Sequence, residues 1–262
     1  MNIIAIDIGN TNINVAFYLD DEEKFIKSVP GDDEAGLVDL LTEAWEQVPV
    51  LKSSKEKKRD GVIAACSVKP VWTEKVELLV RERFGEKVYL IGRNIPLPMA
   101  TALKQPKKIG TDRVVAASAA YDVVGGAVVV ADLGTALTID LVDPLGTFVG
   151  GCICPGLAMS ATAMAEGTAL LPKIDVTKPE YPFGQSTEDA INCGIYYACI
   201  GTLEEIIRRY AEFLGSWPQT ILTGRAAELI KDDCPFIDTY APNLVVRGIV
   251  TAYKKYIAEE SQ

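Results

Sequence analysis

The sequence predicts an α/β protein made of two similarly folded halves, and three observations predict it. Apolar strand-length runs alternate with segments of helical spacing through most of the chain, the order of an α/β unit. A distinctive unit, an apolar strand ending in Asp-x-Gly followed by a polar turn and an alternating strand, opens the chain and recurs near its middle. At 262 residues, with 48% hydrophobic and 24% charged side chains, the chain is long enough for two ordinary domains with real cores. The two recurrences place the halves at 1–124 and 125–262.

The first unit reads MNIIAIDIGNTNIN. Ile3, Ile4, Ala5 and Ile6 form a buried strand that runs into Asp7, a carboxylate where an apolar strand ends. Gly9 lets backbone approach a ligand closely, while Asn10, Thr11 and Asn12 supply amide and hydroxyl donors before Ile13, Val15 and Phe17 resume the alternation. A carboxylate beside donors of this size suggests Mg-nucleotide; the same Gly-Asn is also ordinary hairpin chemistry. A short charged strand follows to Lys27, with 28–33 a loop containing Pro30 and Gly31. Leu37, Leu40, Leu41, Ala44 and Trp45 then have the spacing of an amphipathic helix over 35–48. The basic run 51–60 reads as a solvated loop. Residues 61–67 form a strand ending in small residues, 71–84 a helix, 88–91 a strand and 94–99 a Pro-rich loop. KQPKKIGTDR at 104–113 opens an Ala-rich helix over 112–124, with Thr111 as its cap and Asp112 in its first turn, where the helix dipole favours negative charge.

After Gly125 and Gly126 the opening pattern returns: 127–131, then Asp132, Gly134, Thr135 and Ala136, then the strand 137–142. IAIDIGNTNINVAF and VVADLGTALTIDLV match in their acid, glycine and hydroxyl. One such turn is weak evidence; two, each near the head of a half, predict two hairpin tips pointing into a common cleft that brackets a nucleotide's phosphates. Neither is a P-loop, because each joins two strands and carries no GxxxxGK[ST]. Gly150 and Gly151 predict a close backbone approach, 157–166 a helix and 171–182 a Pro-rich loop. Ser186 and Asp189 start a long helix reaching about 213, its apolar stripe running from Ile191 to Tyr210. A strand at 219–223 ends in Thr-Gly-Arg225; a short helix (226–231), a strand (235–240) and a C-terminal helix opening at Asn243 complete the chain.

Composition excludes several chemistries. The sequence has no histidine, which removes His-based triads and most zinc sites and leaves acid–base work to Asp or Glu. With 26 Lys+Arg against 36 Asp+Glu, the net charge of −10 argues against broad attraction to nucleic acid or an anionic membrane. No apolar run reaches the ~20 residues of a membrane span, and the N-terminus does not read as a signal peptide. The six cysteines are scattered and read as reduced thiols, so the expected compartment is the cytoplasm.

Taken together, the motifs at 7–12 (DIGNTN), 110–113 (GTDR), 132–136 (DLGTA), 150–151 with 155–156, and 244–248 (LVVRG) resemble the type III pantothenate kinases, in order and through nearly the whole chain. The resemblance implies the acetate and sugar kinase/Hsp70/actin fold: two ribonuclease-H-like domains, mixed sheets flanked by helices, and an interdomain cleft. It implies ATP-dependent phosphorylation of the pantothenate hydroxyl, the first step of coenzyme A synthesis, with Mg, a monovalent cation (potassium or ammonium) and a homodimer. Carried over, Asp7, Gly9, Asn10, Thr11, Asn12 and Asn14 would form the first phosphate turn, with Asp7 holding Mg through water. Asp112 would be the base, and Gly110, Thr111 and Arg113 would contact pantothenate together with it. Asp132 would bind the monovalent cation, Gly134 and Thr135 the ATP phosphates, and Thr187 pantothenate, reaching the partner subunit's pocket. This chain departs from the family in having no aromatic at 103–106 and in carrying Arg225 after Thr223-Gly224. Two other readings keep the fold: a kinase of another small hydroxylated acceptor, and a non-catalytic regulator, which would have no use for Asp112.

Overall fold

The computed structural model describes residues 1–51 and 58–260; residues 52–57 of the basic run lie outside the described residues. The chain divides into two compact units, one comprising Met1–Ala100, Gln105–Ala119 and Val245–Gln262, the other Thr101–Lys104 and Ala120–Leu244.

The first unit is built on a five-stranded sheet. Its strands are β1 (Ile3–Ile8), β2 (Asn12–Leu19), β3 (Glu22–Pro30), β4 (Val62–Ser67) and β5 (Val88–Leu90), in the order β3-β2-β1-β4-β5. β1 lies antiparallel to β2 and parallel to β4, and all six of its residues are buried. Burial on both faces is why it reads as a continuous apolar run rather than an alternation, and each buried Ile contributes roughly 1.5–3 kcal/mol. α1 (Glu34–Gln47) starts at Asp33, whose carboxylate accepts from the Gly36 N–H, and it buries the five residues whose spacing predicted it. α2 (Pro70–Phe84) follows β4 directly, and α3 (Thr111–Val124) follows β5.

The second unit repeats this plan. β6 (Val128–Leu133), β7 (Ala136–Val142), β8 (Phe148–Pro155), β9 (Gln219–Thr223) and β10 (Thr239–Tyr240) stand in the order β10-β9-β6-β7-β8, with the same parallel and antiparallel relations. β6 replaces β1, β9 replaces β4, and Asp132 occupies the register of Asp7: Asp7 lies opposite Asn14 and Cys66, Asp132 opposite Thr138 and Thr223. α4 (Leu157–Gly167), α5 (Thr187–Leu214) and the single turn α6 (Ala227–Ile230) belong here, with Tyr196, Leu203 and Ile207 of α5 sealed into this unit's core. α7 (Leu244–Glu260) closes the chain in the first unit.

Four local expectations are corrected. β3 runs through Pro30, because on the edge of the sheet a proline's missing N–H leaves no ladder bond unmade. The strand expected over 235–240 shrinks to β10, since residues 234–237 form a turn closed by the Ile237 N–H on the Cys234 carbonyl. α3 begins at Thr111 itself, and the Thr111 hydroxyl donates to the Ser67 carbonyl (3.5 Å) instead of capping its own helix. The two polar turns also differ in length: four residues, 9–12, separate the paired Ile8 and Ile13, whereas three, 134–136, separate Leu133 and Leu137.

α3 shows no apolar stripe because every residue from Val114 to Ala120 is buried. α7 crosses it closely: a Cβ on Gly248 would lie 2.6 Å from the Val115 carbonyl oxygen, and Lys255 Nζ donates to Ser118 Oγ (3.2 Å). Gly248→Ala therefore forces backbone apart, and urea unfolding should show a loss of about 1–3 kcal/mol; an unchanged midpoint would refute close packing of α7 on α3.

Candidate active site

The site begins where β1 stops. Asp7 is only 9% exposed, and its carboxylate accepts from Asn14 Nδ2 (2.9 Å) and from the Cys66 thiol (3.5 Å), both neutral. Burial pushes its pKa from 3.8 up to about 6, opposed by the Asn14 bond and reinforced by the charge of Asp112. The turn beyond it is anchored through its carbonyls. Ile8 O accepts from the Val68 N–H (3.1 Å), Asn10 O from Lys69 Nζ (3.0 Å), Thr11 O from the Gly31 N–H (3.0 Å) and Asn12 O from the Gly9 N–H (3.1 Å). With these oxygens tied back to the protein, the exposed side chains of Asn10 and Thr11 present donors outward.

Asp112 reaches the same unit from α3. Its Oδ1 accepts from the Arg113 N–H (2.9 Å), and burial raises its pKa against the lowering effect of that bond and of the Arg113 charge. Gly110 is needed here: a Cβ would stand 2.5 Å from Asp112 Oδ1. Gly92, at φ +83°, fits against the Thr111 methyl, so the ends of β4 and β5 together seat the start of α3. The first unit thus brings Asp7, Gly9, Asn10, Thr11, Asn12, Asn14 and the run 110–113 into one fold.

In the second unit the backbone bonds of the buttress are repeated. Leu133 O accepts from the Ala226 N–H (3.0 Å) as Ile8 O does from Val68, and Thr135 O accepts from the Gly156 N–H (3.1 Å) as Thr11 O does from Gly31. The donor glycines follow Pro30 and Pro155, the last residues of β3 and β8. This makes Thr11 the counterpart of Thr135, and Asn10 the extra residue of the longer turn. Gly224, at φ +97°, packs where a Cβ would fall 2.5 Å from Asp132 Oδ1 and 2.6 Å from the Leu133 carbonyl oxygen. Thr187 stands exposed as the first residue of α5, whose cap is Ser186, its Oγ accepting from the Asp189 N–H (3.1 Å).

Sequence reasoning assigned no part in the site to Lys69 or to the Cys66 thiol, took Gly31 only as a loop residue, and took Gly156 as part of a motif without matching it to Gly31. A signal existed: the Pro-Gly dipeptides at 30–31 and 155–156 recur at equal places in the repeat, and Lys69 and Arg225 both follow the ends of the parallel strands β4 and β9.

Among the described residues, no group of three or more His, Cys, Asp or Glu could hold a metal ion. Hydrated Mg is usually held by one or two carboxylates together with substrate phosphates rather than by a protein cage. Asp7, buried with neutral partners and next to a second acid, is a carboxylate that a divalent cation would compensate.

The fold, two ribonuclease-H-like units each with a strand–turn–strand tip, is the actin-like fold. Over this fold the chain superposes on the Clostridium difficile activator of 2-hydroxyisocaproyl-CoA dehydratase, solved with bound ADPNP (TM-score 0.53, 9% identity, covering 100% of this chain and 97% of that one). It also superposes on a Campylobacter jejuni protein named for the Baf family of transcriptional activators (TM-score 0.58, 20% identity, 96% and 98%). The family model for type III pantothenate kinase matches residues 3–209. A type III pantothenate kinase of Agathobacter rectalis is 34% identical over 259 residues, covering 97% of each chain, and one of Dehalococcoides mccartyi is 33% identical over 261 residues (96% and 97%). The chain belongs to the type III pantothenate kinase family.

The raised pKa of Asp7 has a stability consequence. Between 3.8 and about 6 the folded state holds a proton that the unfolded chain releases, so this group's contribution is most favourable below pH 3.8 and is lost as pH rises through 6. A shift of about two units corresponds to ~3 kcal/mol at most, with the lowering effect of the Asn14 and Cys66 bonds already contained in it. Asp7→Asn, without Mg or nucleotide, should therefore be more stable than wild type by about 1–3 kcal/mol at pH 8 and by almost nothing near pH 4. Denaturant melts at the two pH values decide it; a variant less stable at pH 8 overturns the reading of Asp7 as an uncompensated acid.

Proposed function

We propose that this protein transfers the γ-phosphoryl group of ATP to the hydroxyl of pantothenate, giving 4'-phosphopantothenate in the first step of coenzyme A synthesis. Membership of the family supports the reaction, and the observation that carries it to particular residues is the pairing of Asp112 with Asp7 in one unit. Phosphoryl transfer passes through a loose transition state, so positioning and charge neutralisation supply most of the rate and the base need not be strong. Asp112 takes the hydroxyl proton at its carboxylate. Its elevated pKa suits a group that must accept a proton, and the Arg113 N–H and charge at the first turn of α3 oppose the rise that burial causes. Arg113, one residue on, offers a guanidinium fork to the pantothenate carboxylate, with Gly110 and Thr111 shaping the approach and Thr187 contacting pantothenate from α5.

The turn at 9–12 with Asn14 and the turn at Gly134 and Thr135 hold the ATP phosphates. Asp7 would hold Mg through water, and the ion would supply neutralisation of charge on the phosphoryl oxygens. Asp132, whose carboxylate abuts Gly224, takes the monovalent cation, potassium or ammonium. The working state is a homodimer, supported by the apolar surface of the second unit, where Ile153, Leu170, Tyr181 and Phe183 are exposed. The setting is the cytoplasm, supported by six free cysteines. No described helix is long and apolar enough to cross a membrane.

Coupled measurement of ADP release tests the assignment. Wild type should turn over only with pantothenate, Mg and a monovalent cation. Asp112→Asn should lower kcat by about 10²–10⁴-fold with the fold intact by circular dichroism, and Asp132→Asn should abolish the difference between potassium and sodium buffers. Full activity in Asp112→Asn would remove the base from the scheme. Sedimentation at micromolar concentration should give twice the 28.3 kDa chain mass; a monomer that turns over at full rate would sink the dimer.

A further inference from the structure

Lys69 is half-buried at the junction of β4 and α2, and three contacts define its place. Its Nζ donates to the carbonyl of Asn10 inside the first phosphate turn (3.0 Å). The same ammonium lies 3.2 Å from the centroid of the Trp72 ring, close enough for a cation–π contact. Its backbone N–H donates to Ser67 Oγ (3.1 Å), and Ser67 Oγ in turn pairs with Thr73 Oγ1 (2.6 Å), so the root of the side chain is held as well as its tip.

The surroundings keep this arrangement in place. Trp72 fills the space above Gly31, where a Cβ would fall 1.6 Å from the ring, and Gly31 is the residue whose N–H anchors Thr11. Trp72, Gly31, Thr11, Asn10 and Lys69 thus form a closed circuit around the outer side of the turn. An ammonium has three N–H donors; one goes to Asn10, leaving two and the full charge beside the exposed Asn10 and Thr11. This positive charge stands at the turn itself, bonded to the Asn10 carbonyl, where a polyanionic phosphate chain would bind.

We infer that Lys69 contacts the phosphate chain of the nucleotide and fixes the first turn for it, making it a binding and positioning residue of the phosphoryl donor and not of the acceptor. The inference rests on the kinase reading above. It asks of Lys69 one charge-assisted hydrogen bond to a phosphate oxygen, formed while Asn10 and the Trp72 ring hold the ammonium.

Lys69→Met keeps the aliphatic stem on Trp72 and removes the charge, while Lys69→Arg restores it. Calorimetric titration of the purified protein with Mg and a non-hydrolysable ATP analogue should show about 10- to 100-fold weaker binding in Lys69→Met and recovery of most of it in Lys69→Arg. KM for ATP should rise in parallel, while KM for pantothenate moves by less than about twofold and the melting temperature by no more than about 2 °C. Unchanged analogue affinity in Lys69→Met overturns the proposal. So does an equal rise in both KM values with a lowered melting temperature, which would mark a purely structural bond to Asn10. A wild-type protein with no pantothenate-dependent turnover would defeat the kinase reading instead, and the analogue titration would still decide Lys69.

Discussion

A buried carboxylate at the end of a buried strand is the constraint on which the rest of this structure depends. β1 is sealed on both faces, and its one polar side chain able to serve a site is that of its penultimate residue, Asp7. Burying it costs free energy that its neutral partners, an amide and a thiol, only partly offset. Bringing Asp112 up on α3 adds to the cost instead of relieving it. A fold optimised for stability alone would not place two acids here; one that binds a cation and a phosphorylated ligand gains from doing so.

Around that carboxylate the chain solves one steric problem twice. To offer donors to an anion, a turn must turn its carbonyls away, and each carbonyl then needs a partner. In both units the partners are the same: the N–H just beyond the adjacent parallel strand and the N–H of the glycine that follows a proline at the end of the third strand. Gly156 can serve because a Cβ would lie 2.5 Å from the Gly134 carbonyl oxygen, and Gly31 because Trp72 already occupies the space above it. The two halves also diverge. The first turn has the extra residue Asn10 and the Lys69–Trp72 buttress, whereas the second has Gly224 packed onto Asp132.

Much of this was legible beforehand. The two-half α/β plan followed from the repeated Asp-x-Gly turn, because strand periodicity and strand-end acids are local features that survive in linear order. α1 and α5 were legible because each has a wet and a dry face. α3 was readable only as apolar and Ala-rich, since total burial erases periodicity. β3 was read short because Pro30 looks like a terminator until the strand is known to lie on an edge. The isolated run 235–240 gave no means of telling a turn from a strand.

By itself, then, the sequence determined the fold class, the absence of histidine chemistry, and the identity of the acids at 7, 112 and 132. Only the tertiary structure decided what surrounds them: that Cys66 and Asn14 are the partners of Asp7, that Thr111 bonds to Ser67, and that Lys69, 59 residues after Asn10, closes over its carbonyl. The reason is physical. Backbone propensity and burial patterns act over a few residues, whereas the fields and hydrogen bonds that tune a carboxylate come from whatever strand or helix packing brings within a few ångströms.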